Sequence, residues 1–194
     1  KKAFEKINFY IPDDIKESMF ELSEYGVPQK RKRVFIFGIS RRIKNYKQIS
    51  DQFYALLKSK KSKKIMTVKE AIGSLPSLYP VKQKIKAEGK KLSHSFGKND
   101  ERISHVPRFH NQRDIKIFSM LAKDIESKKH KYTNIAALHK LYESIVGKSS
   151  SVHKYYVLRR NEPSNLIPAH LYKDGLRHIH YDSKQARSIT PREA

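Results

Sequence analysis

The chain has 194 residues, with 42 Lys and Arg against 19 Asp and Glu, and this net charge of +23 predicts a polyanionic partner, most commonly nucleic acid. A hydrophobic content of 38%, with 11 Tyr and 9 Phe, excludes a disordered basic tail, and the absence of cysteine excludes disulfides, Cys-ligated zinc and a cysteine nucleophile within these residues. No apolar run reaches the roughly 20 residues of a membrane span, and no leader pattern opens the chain. We therefore expect a cytoplasmic protein without a membrane partner.

A basic turn leads into an apolar run at residues 25–40, YGVPQKRKRVFIFGIS. The β-branched and aromatic stretch at 34–40 predicts a strand covered on both faces, as in a large α/β sheet. Arg31 and Arg33 are separated by one residue, so on extended chain they project to the same side, where they can grip a phosphate or a carbonyl together. The alternative interpretation of this cluster is an exposed basic tag.

The next part of the chain, residues 41–110, is mostly polar and basic. The run KSKKSKK at 58–64 predicts a solvated loop or helix face. Thr67 and Glu70 have capping-box spacing and predict a short helix that Gly73 and Pro76 end. Residues 80–110 are rich in Lys with interspersed Gly, Ser and His, and we expect them to form a long connector.

Two amphipathic helices follow, and both predict ordinary packing faces. Asn111 is placed to cap the first helix, and Gly147 is placed to end the second. The apolar face of the first helix comprises Ile115, Phe118, Leu121 or Ala122, and Ile125. That of the second comprises Ile135, Leu138, Leu141 or Tyr142, and Ile145.

Residues 153–182 interleave basic and aromatic side chains in short segments broken by turn residues. This pattern predicts short strands and a surface that contacts phosphates and bases. His178, His180 and Asp182 would share one strand face; without a fourth ligand, we favour polar packing over a metal site. At the end of the chain, Thr190 and Glu193 carry helix-start signals, which predict that the polypeptide continues.

These stretches together resemble the bacterial cytosine-5 DNA methyltransferases. The segment YGVPQKRKRVFIFG resembles the eighth motif of that family, Gln-x-Arg-x-Arg, and matches it at Gln29, Arg31 and Arg33. The segment QARSITPREA resembles the ninth motif, and the matching residues are Arg187, Thr190, Arg192 and Glu193. Between them, TVKEAIGSLP, FHNQRDIKIF and EPSNLIPAHLYKDG are similar to segments of the target-recognition region.

The resemblance implies an α/β fold in which the tail of a Rossmann-like methyltransferase sheet joins a small mixed α+β target-recognition domain. Residues 1–45 would be the C-terminal strands of the catalytic domain, and residues 46–186 the target-recognition domain. Residues 187–194 would begin the return helix to the catalytic domain, with the ninth-motif residues in a structural role.

The resemblance also implies methyl transfer from S-adenosylmethionine to a flipped cytosine in duplex DNA, in restriction-modification, by an enzyme that is monomeric when complete. Gln29, Arg31 and Arg33 would line the pocket for the flipped base, and Arg33 would contact it. The family's nucleophilic cysteine and glycine-rich cofactor site belong to a catalytic segment that precedes the eighth motif. We therefore expect the chain alone to bind no cofactor and to be inactive, since it contains no thiol.

Sequence reading would lie in two loops, near residues 153–160 and 170–176, with some side chains reaching base edges and others holding phosphates. The candidates are His153, Lys154, Tyr155, Arg159, Arg160, His170, Tyr172 and Lys173. Charge alone leaves open a non-enzymatic basic DNA-binding module. Asp124, Glu126 and Lys128 crudely resemble a metal-dependent nuclease cluster, but their place in a predicted helix favours a solvated face. We expect no metal.

Overall fold

The computed structural model describes residues 1–87, 90–95, 105–150 and 154–194, which form two compact units, Lys1–Met66 and Thr67–Ala194. Both units combine helices with short strands, so the fold is mixed α and β. In the part of the chain that the structure describes, the strands pair antiparallel in two-stranded sheets. No helix among these residues is long and apolar enough to cross a membrane.

The first unit contains two short antiparallel pairs of strands. Strand β1 (Phe9–Tyr10) pairs with β4 (Ile39–Ser40), and β2 (Met19–Glu21) pairs with β3 (Lys32–Val34), both antiparallel. The 3₁₀ turns Ile15–Ser18 and Leu22–Tyr25 flank β2. The helices and strands of this unit are α1 (Lys2–Lys6), β1 (Phe9–Tyr10), β2 (Met19–Glu21), β3 (Lys32–Val34), β4 (Ile39–Ser40) and α2 (Tyr46–Ser59).

The prediction of one continuous strand over residues 34–40 is wrong, because β3 ends at Val34 and β4 begins only at Ile39. A side chain of α2 takes the place of a strand partner in the gap. The Tyr54 hydroxyl donates to the Phe35 carbonyl and accepts from the Phe37 N–H, each at 3.0 Å. The expected cover on both faces is also missing in the described unit, since the side chains of residues 34–37 are between 39% and 49% exposed.

Aromatic rings fill the interior of the first unit. Phe20, on β2, is 5% exposed, and its ring centroid lies 5.7 Å from that of Phe35 and 6.4 Å from that of Tyr54. Phe37 stacks on Phe53 of α2 with ring centroids 4.1 Å apart. These contacts hold β3 and the segment that follows it against α2, which positions the basic cluster that precedes them.

The second unit starts with a capped helix and continues into a hairpin and two longer helices. Its elements are α3 (Val68–Ile72), β5 (Pro80–Ala87), β6 (Lys90–His94), α4 (Gln112–Glu126), α5 (Ile135–Val146) and α6 (Leu171–Asp174), followed by a 3₁₀ turn at Gly175–Arg177. Isolated bridges join Val157 to Ile179 in parallel and Ile179 to Ser188 in antiparallel fashion. The C-terminal segment is thereby tied into the same unit.

The local helix signals of the second unit are confirmed. Thr67 and Glu70 form the reciprocal bonds of a capping box, and the Asn111 side chain accepts the Asp114 N–H at 2.8 Å. Gly147 ends α5 with φ +71°, a left-handed conformation that favours glycine. These signals act over three or four residues, so the sequence pattern carries them without tertiary help.

The predicted apolar faces of α4 and α5 form the main core, with one correction. Ile135 is 68% exposed, because it occupies the first position of α5, beyond the reach of the core. The buried members of this core are Ile115, Ile117, Phe118, Leu121, Ala122, Leu138, Leu141, Val157, Ile179 and Ala186. A second cluster consists of Val68, Ile72, Leu158 and Ile189.

The prediction of a connector over residues 80–110 is wrong for its first part, where β5 and β6 form an antiparallel hairpin. Lysines alternate with other residues at 82, 84 and 86, which is the two-residue period of a strand. The high charge of the run masked that period. Leu92, on β6, is 3% exposed and gives the hairpin its buried side.

Candidate functional site

The eighth-motif segment enters β3 through a fixed turn. Gly26 ends the preceding 3₁₀ turn at φ +85°, in the left-handed region where a side chain would be strained. The Glu21 carboxylate then accepts the Arg31 N–H at 2.6 Å, and the Leu22 N–H donates to the Arg31 carbonyl at 2.9 Å. The Gln29 N–H donates to the Val27 carbonyl at 2.7 Å, and the Gln29 side chain is half-buried. The backbone that carries the cluster is therefore anchored by Glu21 and Leu22 and by a hydrogen bond within the turn.

Strand β3 begins at Lys32, so Arg31 directly precedes it, and alternation within the strand places Arg33 on the opposite side from Lys32. Both arginines are half-buried, whereas Lys32 is exposed. Arg33 Nη1 donates to the Lys32 carbonyl at 2.7 Å. Among the described residues, neither arginine forms an ion pair with a carboxylate. Guanidinium groups that form no ion pair retain donors that can attract an anionic or carbonyl oxygen.

The ninth-motif segment is organised around a buried ion pair. Arg187 is 0% exposed, and its two terminal nitrogens donate to the two Glu193 carboxylate oxygens at 2.6 and 2.7 Å. Arg187 Nη2 also donates to the Gln185 side-chain oxygen at 2.7 Å. Burial alone would raise the pKa of Glu193, but hydrogen bonds and charge from Arg187 outweigh it and hold that pKa below its ordinary value.

The other ninth-motif residues divide between a helix-type cap and the surface. Glu193 accepts the Thr190 N–H at 2.8 Å, and Thr190 Oγ1 accepts the Glu193 N–H at 3.3 Å, which is the reciprocal pattern that the sequence suggests. Thr190 is fully buried, whereas Arg192 is exposed. The segment is therefore stabilised by internal polar contacts.

Three buried histidines that the sequence pattern did not single out contact the C-terminal segment. They are His94, His105 and His110. His94 Nε2 donates to the Gln185 carbonyl at 2.8 Å, and His110 Nε2 accepts the Ser188 N–H at 3.2 Å. His105 Nδ1 lies 3.1 Å from the Thr190 hydroxyl. Burial lowers the pKa of His94 to about 4 and that of His110 to about 3. The His94 and His110 imidazoles are thus held neutral by their surroundings.

The candidate recognition residues Arg159 and Arg160 each stack on a tyrosine. The Arg159 guanidinium lies 5.3 Å from the Tyr156 ring centroid, and that of Arg160 lies 5.4 Å from the Tyr181 centroid. Arg160 lines a cleft of about 520 Å³ together with Tyr181 and Lys184. Stacking orients a guanidinium while leaving its N–H edge available for a ligand. The cleft is also lined by Glu126, Asp182 and Glu193, so its lining carries charges of both signs, with Arg160 and Lys184 as its cations.

The remaining candidate recognition residues differ in how exposed their side chains are. Tyr155 is half-buried, its ring centroid lies 6.2 Å from that of Phe118, and burial raises the pKa of its hydroxyl to about 12. Its packing is that of a core residue. Lys154, His170 and Lys173 are exposed. His153 and the side chain of Tyr172 lie outside the described part of the structure.

The residues that suggested a nuclease have structural contacts, and the prediction of a solvated face is wrong for Asp124. Asp124 is 6% exposed, and its carboxylate accepts the N–H groups of Lys131 and Tyr132, each at 3.0 Å. Glu126 accepts the Ser183 N–H at 2.8 Å. No group of His, Asp and Glu among the described residues could hold a metal ion. His178 and His180, which suggested a metal site with Asp182, are buried.

Comparison with known proteins connects these segments. The sequence profile described as C-5 cytosine-specific DNA methylase matches residues 2–194. The chain belongs to this family. The chain is also 24% identical over 212 positions to the type II methyltransferase M.Bpa9945I of Bacillus paralicheniformis, covering 100% of the chain and 46% of that relative. The chain thus spans about half the length of this curated relative. No solved structure matches it.

Family membership confirms the resemblance that the eighth and ninth motifs indicate. The cofactor expected of a C-5 cytosine-specific DNA methylase can be tested against this chain. A glycine-rich loop before a helix is the usual cradle for such a nucleotide-like group. The seven glycines of the chain are dispersed, with none adjacent or alternating, so no such loop is present in the sequence. These residues do not fit a complete site for S-adenosylmethionine.

Proposed function

We propose that this chain is the part of a DNA cytosine-5 methyltransferase that receives the target base and recognises the DNA site. The match of the family profile to residues 2–194 carries the proposal. The net charge of +23 agrees with a polyanionic substrate, as do Arg31 and Arg33, which form no ion pair with a carboxylate among the described residues. Because a relative of this chain is named a type II methyltransferase, we place the activity in restriction-modification.

The proposed division of labour follows the two ends of the chain. Residues 1–45 would complete the Rossmann-like catalytic sheet, and residues 46–186 would act as the target-recognition domain. Residues 187–194 would lead back into the catalytic domain, with the Arg187–Glu193 pair holding this return in place. The exposed apolar side chains at 34–37 support the first assignment, since a sheet neighbour would cover them.

In this proposal, Gln29, Arg31 and Arg33 line the pocket for the flipped cytosine. Taking a base out of the helical stack costs a few kcal/mol, so the pocket must return that free energy through contacts with the base and its backbone. Arg33 would donate to the base carbonyl, and Arg31, directly before β3, would help hold the backbone. The thiol that attacks the base must come from another segment, because this chain has no cysteine.

The cofactor would be held by the missing catalytic segment. When bound there, S-adenosylmethionine supplies the methyl group that is transferred to the base. The residues of this chain would bind and orient the DNA. We accordingly propose duplex DNA and the N-terminal catalytic segment as the partners of this chain.

Recognition of the DNA sequence would centre on the cleft that Arg160 lines and on the exposed residues Lys154, His170 and Lys173, with Arg159 beside them. His153, Tyr155 and Tyr172 complete the predicted set. Guanidinium groups oriented by stacking suit bidentate contacts with guanine, whereas lysines on the surface suit phosphates. Base reading and phosphate binding would therefore be carried by different side chains.

The test of this function is methyl transfer by the full-length protein, measured as tritium moved from labelled S-adenosylmethionine to duplex DNA. Arg33→Ala should lower kcat on the order of 10²-fold at saturating DNA, as expected when a donor to the reacting base is lost. Lys32→Ala is the matched control, because Lys32 lies on the opposite side of β3. A normal kcat for Arg33→Ala would refute the pocket assignment.

The same assay separates the enzyme from the rival non-enzymatic DNA-binding module. The chain alone should transfer no methyl group, and adding a catalytic segment with its cysteine and glycine-rich motif should restore transfer. If a folded and associated mixture bound DNA but remained inactive, the binding module would be favoured. Transfer by the chain alone would contradict the proposed mechanism.

A further inference from the structure

The hairpin of β5 and β6, which none of the motifs includes, presents lysines on its exposed side. Lys82, Lys86 and Lys91 are all exposed. Toward the end of β6, Leu92, Ser93 and His94 are buried, whereas Lys86 and Lys91, next to the turn of the hairpin, are exposed. We refer to residues 80–94, excluding 88–89, as the lysine hairpin.

The pairing register of the lysine hairpin sets two cations against each other. Lys86 lies directly opposite Lys91, and directly opposed residues of an antiparallel pair point to the same face. Like charges in this arrangement destabilise a hairpin. Neither lysine forms an ion pair with a carboxylate among the described residues. A bound anion between or beside them would remove the repulsion, which gives the pair a function that packing does not explain.

The base of the lysine hairpin is fixed to the ninth-motif segment through one residue. The Gln185 side-chain oxygen accepts the Leu78 N–H at 3.0 Å, and the Gln185 carbonyl accepts from His94 Nε2 at 2.8 Å. Gln185 therefore fixes the chain just before β5 and at the end of β6. It also lines the cleft that contains Arg160, Tyr79 and Lys184. Tyr79 directly precedes β5, so the hairpin begins beside that cleft.

We propose that the lysine hairpin grips the phosphate backbone of duplex DNA, with Lys86 and Lys91 neutralising phosphates while other residues read the bases. This inference rests on the proposed DNA-binding function. The hairpin would contribute affinity for DNA but no sequence preference, because phosphate contacts are the same for every sequence.

The experiment measures the affinity of the full-length protein for duplex DNA across a series of salt concentrations. About six phosphate contacts give a log–log slope of about −5 for the unaltered protein. The double variant Lys86→Gln/Lys91→Gln should flatten this slope by about 2 units. The double variant should weaken binding by the same factor for a duplex that contains the sequence methylated by the enzyme and for an unrelated duplex. Its melting temperature should equal or exceed that of the unaltered protein, since the like-charge pair is gone.

The matched control is Lys116→Gln/Lys123→Gln, which removes two exposed lysines from α4. Its slope should change by less than that of the hairpin variant. An unchanged slope for the hairpin variant, or a selective loss of binding to the methylated site, overturns the inference and leaves the proposed function standing. Absence of salt-dependent DNA binding by the unaltered protein overturns both.

Discussion

Arg187 and Arg33 occupy very different surroundings. Arg187 is enclosed, and its N–H groups meet Glu193, Gln185 and the Ser188 carbonyl. Arg33 is half-buried on β3, and the hydrogen bond observed for its side chain is to the carbonyl of its own neighbour, Lys32. A buried and satisfied guanidinium stabilises the fold, whereas one held at a surface with donors to spare is suited to a ligand.

Arg160 permits a test of base reading at the scale of one residue. Arg160→Ala should weaken binding to the methylated sequence, mapped by bisulfite sequencing, by about 1–3 kcal/mol. Binding to an unrelated duplex should change less, so the ratio of the two dissociation constants should fall. Arg160→Lys should not restore the ratio, because lysine lacks the planar fork that stacks on Tyr181.

Arg192→Ala is the control for this prediction, because it removes an exposed arginine that does not line the cleft. It should leave the ratio of dissociation constants unchanged. If Arg160→Ala weakens both duplexes equally, Arg160 contacts phosphate and does not read a base.

At the scale of elements, the turn after α4 shows a carboxylate compensating for strain. Lys128 and His130 have φ values of +56° and +53°, in the left-handed region that side chains disfavour. Asp124 accepts the N–H groups of Lys131 and Tyr132 and so fixes the path of this turn into the approach to α5. The resemblance of this segment to a nuclease cluster thus has a structural explanation.

Asp124→Ala should lower the free energy of unfolding by about 2–4 kcal/mol, because two backbone N–H groups lose a charged acceptor inside the protein. Chemical denaturation measures the change. Lys123→Ala, at an exposed neighbouring position, should stay within about 0.5 kcal/mol of the unaltered protein. An equally small effect of Asp124→Ala would show that the turn is held by other contacts.

The sequence predicted elements whose causes are local. The Thr67 and Asn111 caps, the Gly147 end and the apolar faces of α4 and α5 depend on residues a few positions apart. The break after Val34 depends instead on Tyr54, which lies 19 positions from Phe35. No local pattern at 34–40 contains that information. The lysine hairpin was missed for another reason, since high charge masked a strand period.

The candidate site shows the same division. The Thr190–Glu193 cap follows from spacing, whereas the predicted shared side of Arg31 and Arg33 stays a prediction, because Arg31 lies just before β3. The contacts of His94 and His110 join residues that are 91 and 78 positions apart in the chain. Pairings of this separation are set by the tertiary fold, so a single sequence does not specify them.

At the scale of the whole molecule, the large positive charge contrasts with an interior in which charge is neutralised or suppressed. Arg187 is paired with Glu193, and burial keeps His94, His110 and His180 from taking up protons at neutral pH. The molecule can therefore carry a large positive charge while the C-terminal segment remains anchored. This arrangement makes the anchor sensitive to acid.

Burial lowers the pKa of His94 to about 4, that of His110 to about 3 and that of His180 to about 4, and nearby charges modify this effect. Arg187 faces all three rings and lowers the pKa further. Arg108 and His94 also lower the pKa of His110. Glu193 and Asp182 oppose the shift at His180, whereas His105 adds to it.

Geometry supports these directions for two of the rings. His110 Nε2 accepts the Ser188 N–H, and His180 Nδ1 accepts the Asp182 N–H at 3.1 Å. A proton on either nitrogen would break that hydrogen bond and place two donors against each other. Protonation of these rings is therefore disfavoured by lost contacts as well as by burial.

Acid should consequently destabilise the fold, beginning well above the pH at which carboxylates titrate. The unfolded chain takes up protons on these histidines near the ordinary pKa of 6.5, whereas the folded chain does so only near 4 or below. Stability is thus fully present above 6.5 and falls as pH drops toward 4, by up to about 1.4 kcal/mol per pH unit for each ring. The lowered pKa of Glu193 acts in the same direction at more acid pH.

Chemical denaturation at a series of pH values tests this linkage through its slope. His110→Gln removes one titrating ring, so the loss of stability per pH unit between 6.5 and 4 should shrink by up to about 1.4 kcal/mol, even if the variant is less stable at neutral pH. His170→Gln is the control for loss of an imidazole from the surface. Equal slopes for His110→Gln and the unaltered protein would mean that His110 is protonated in the folded state, and the Ser188 contact would then have to be formed in another way.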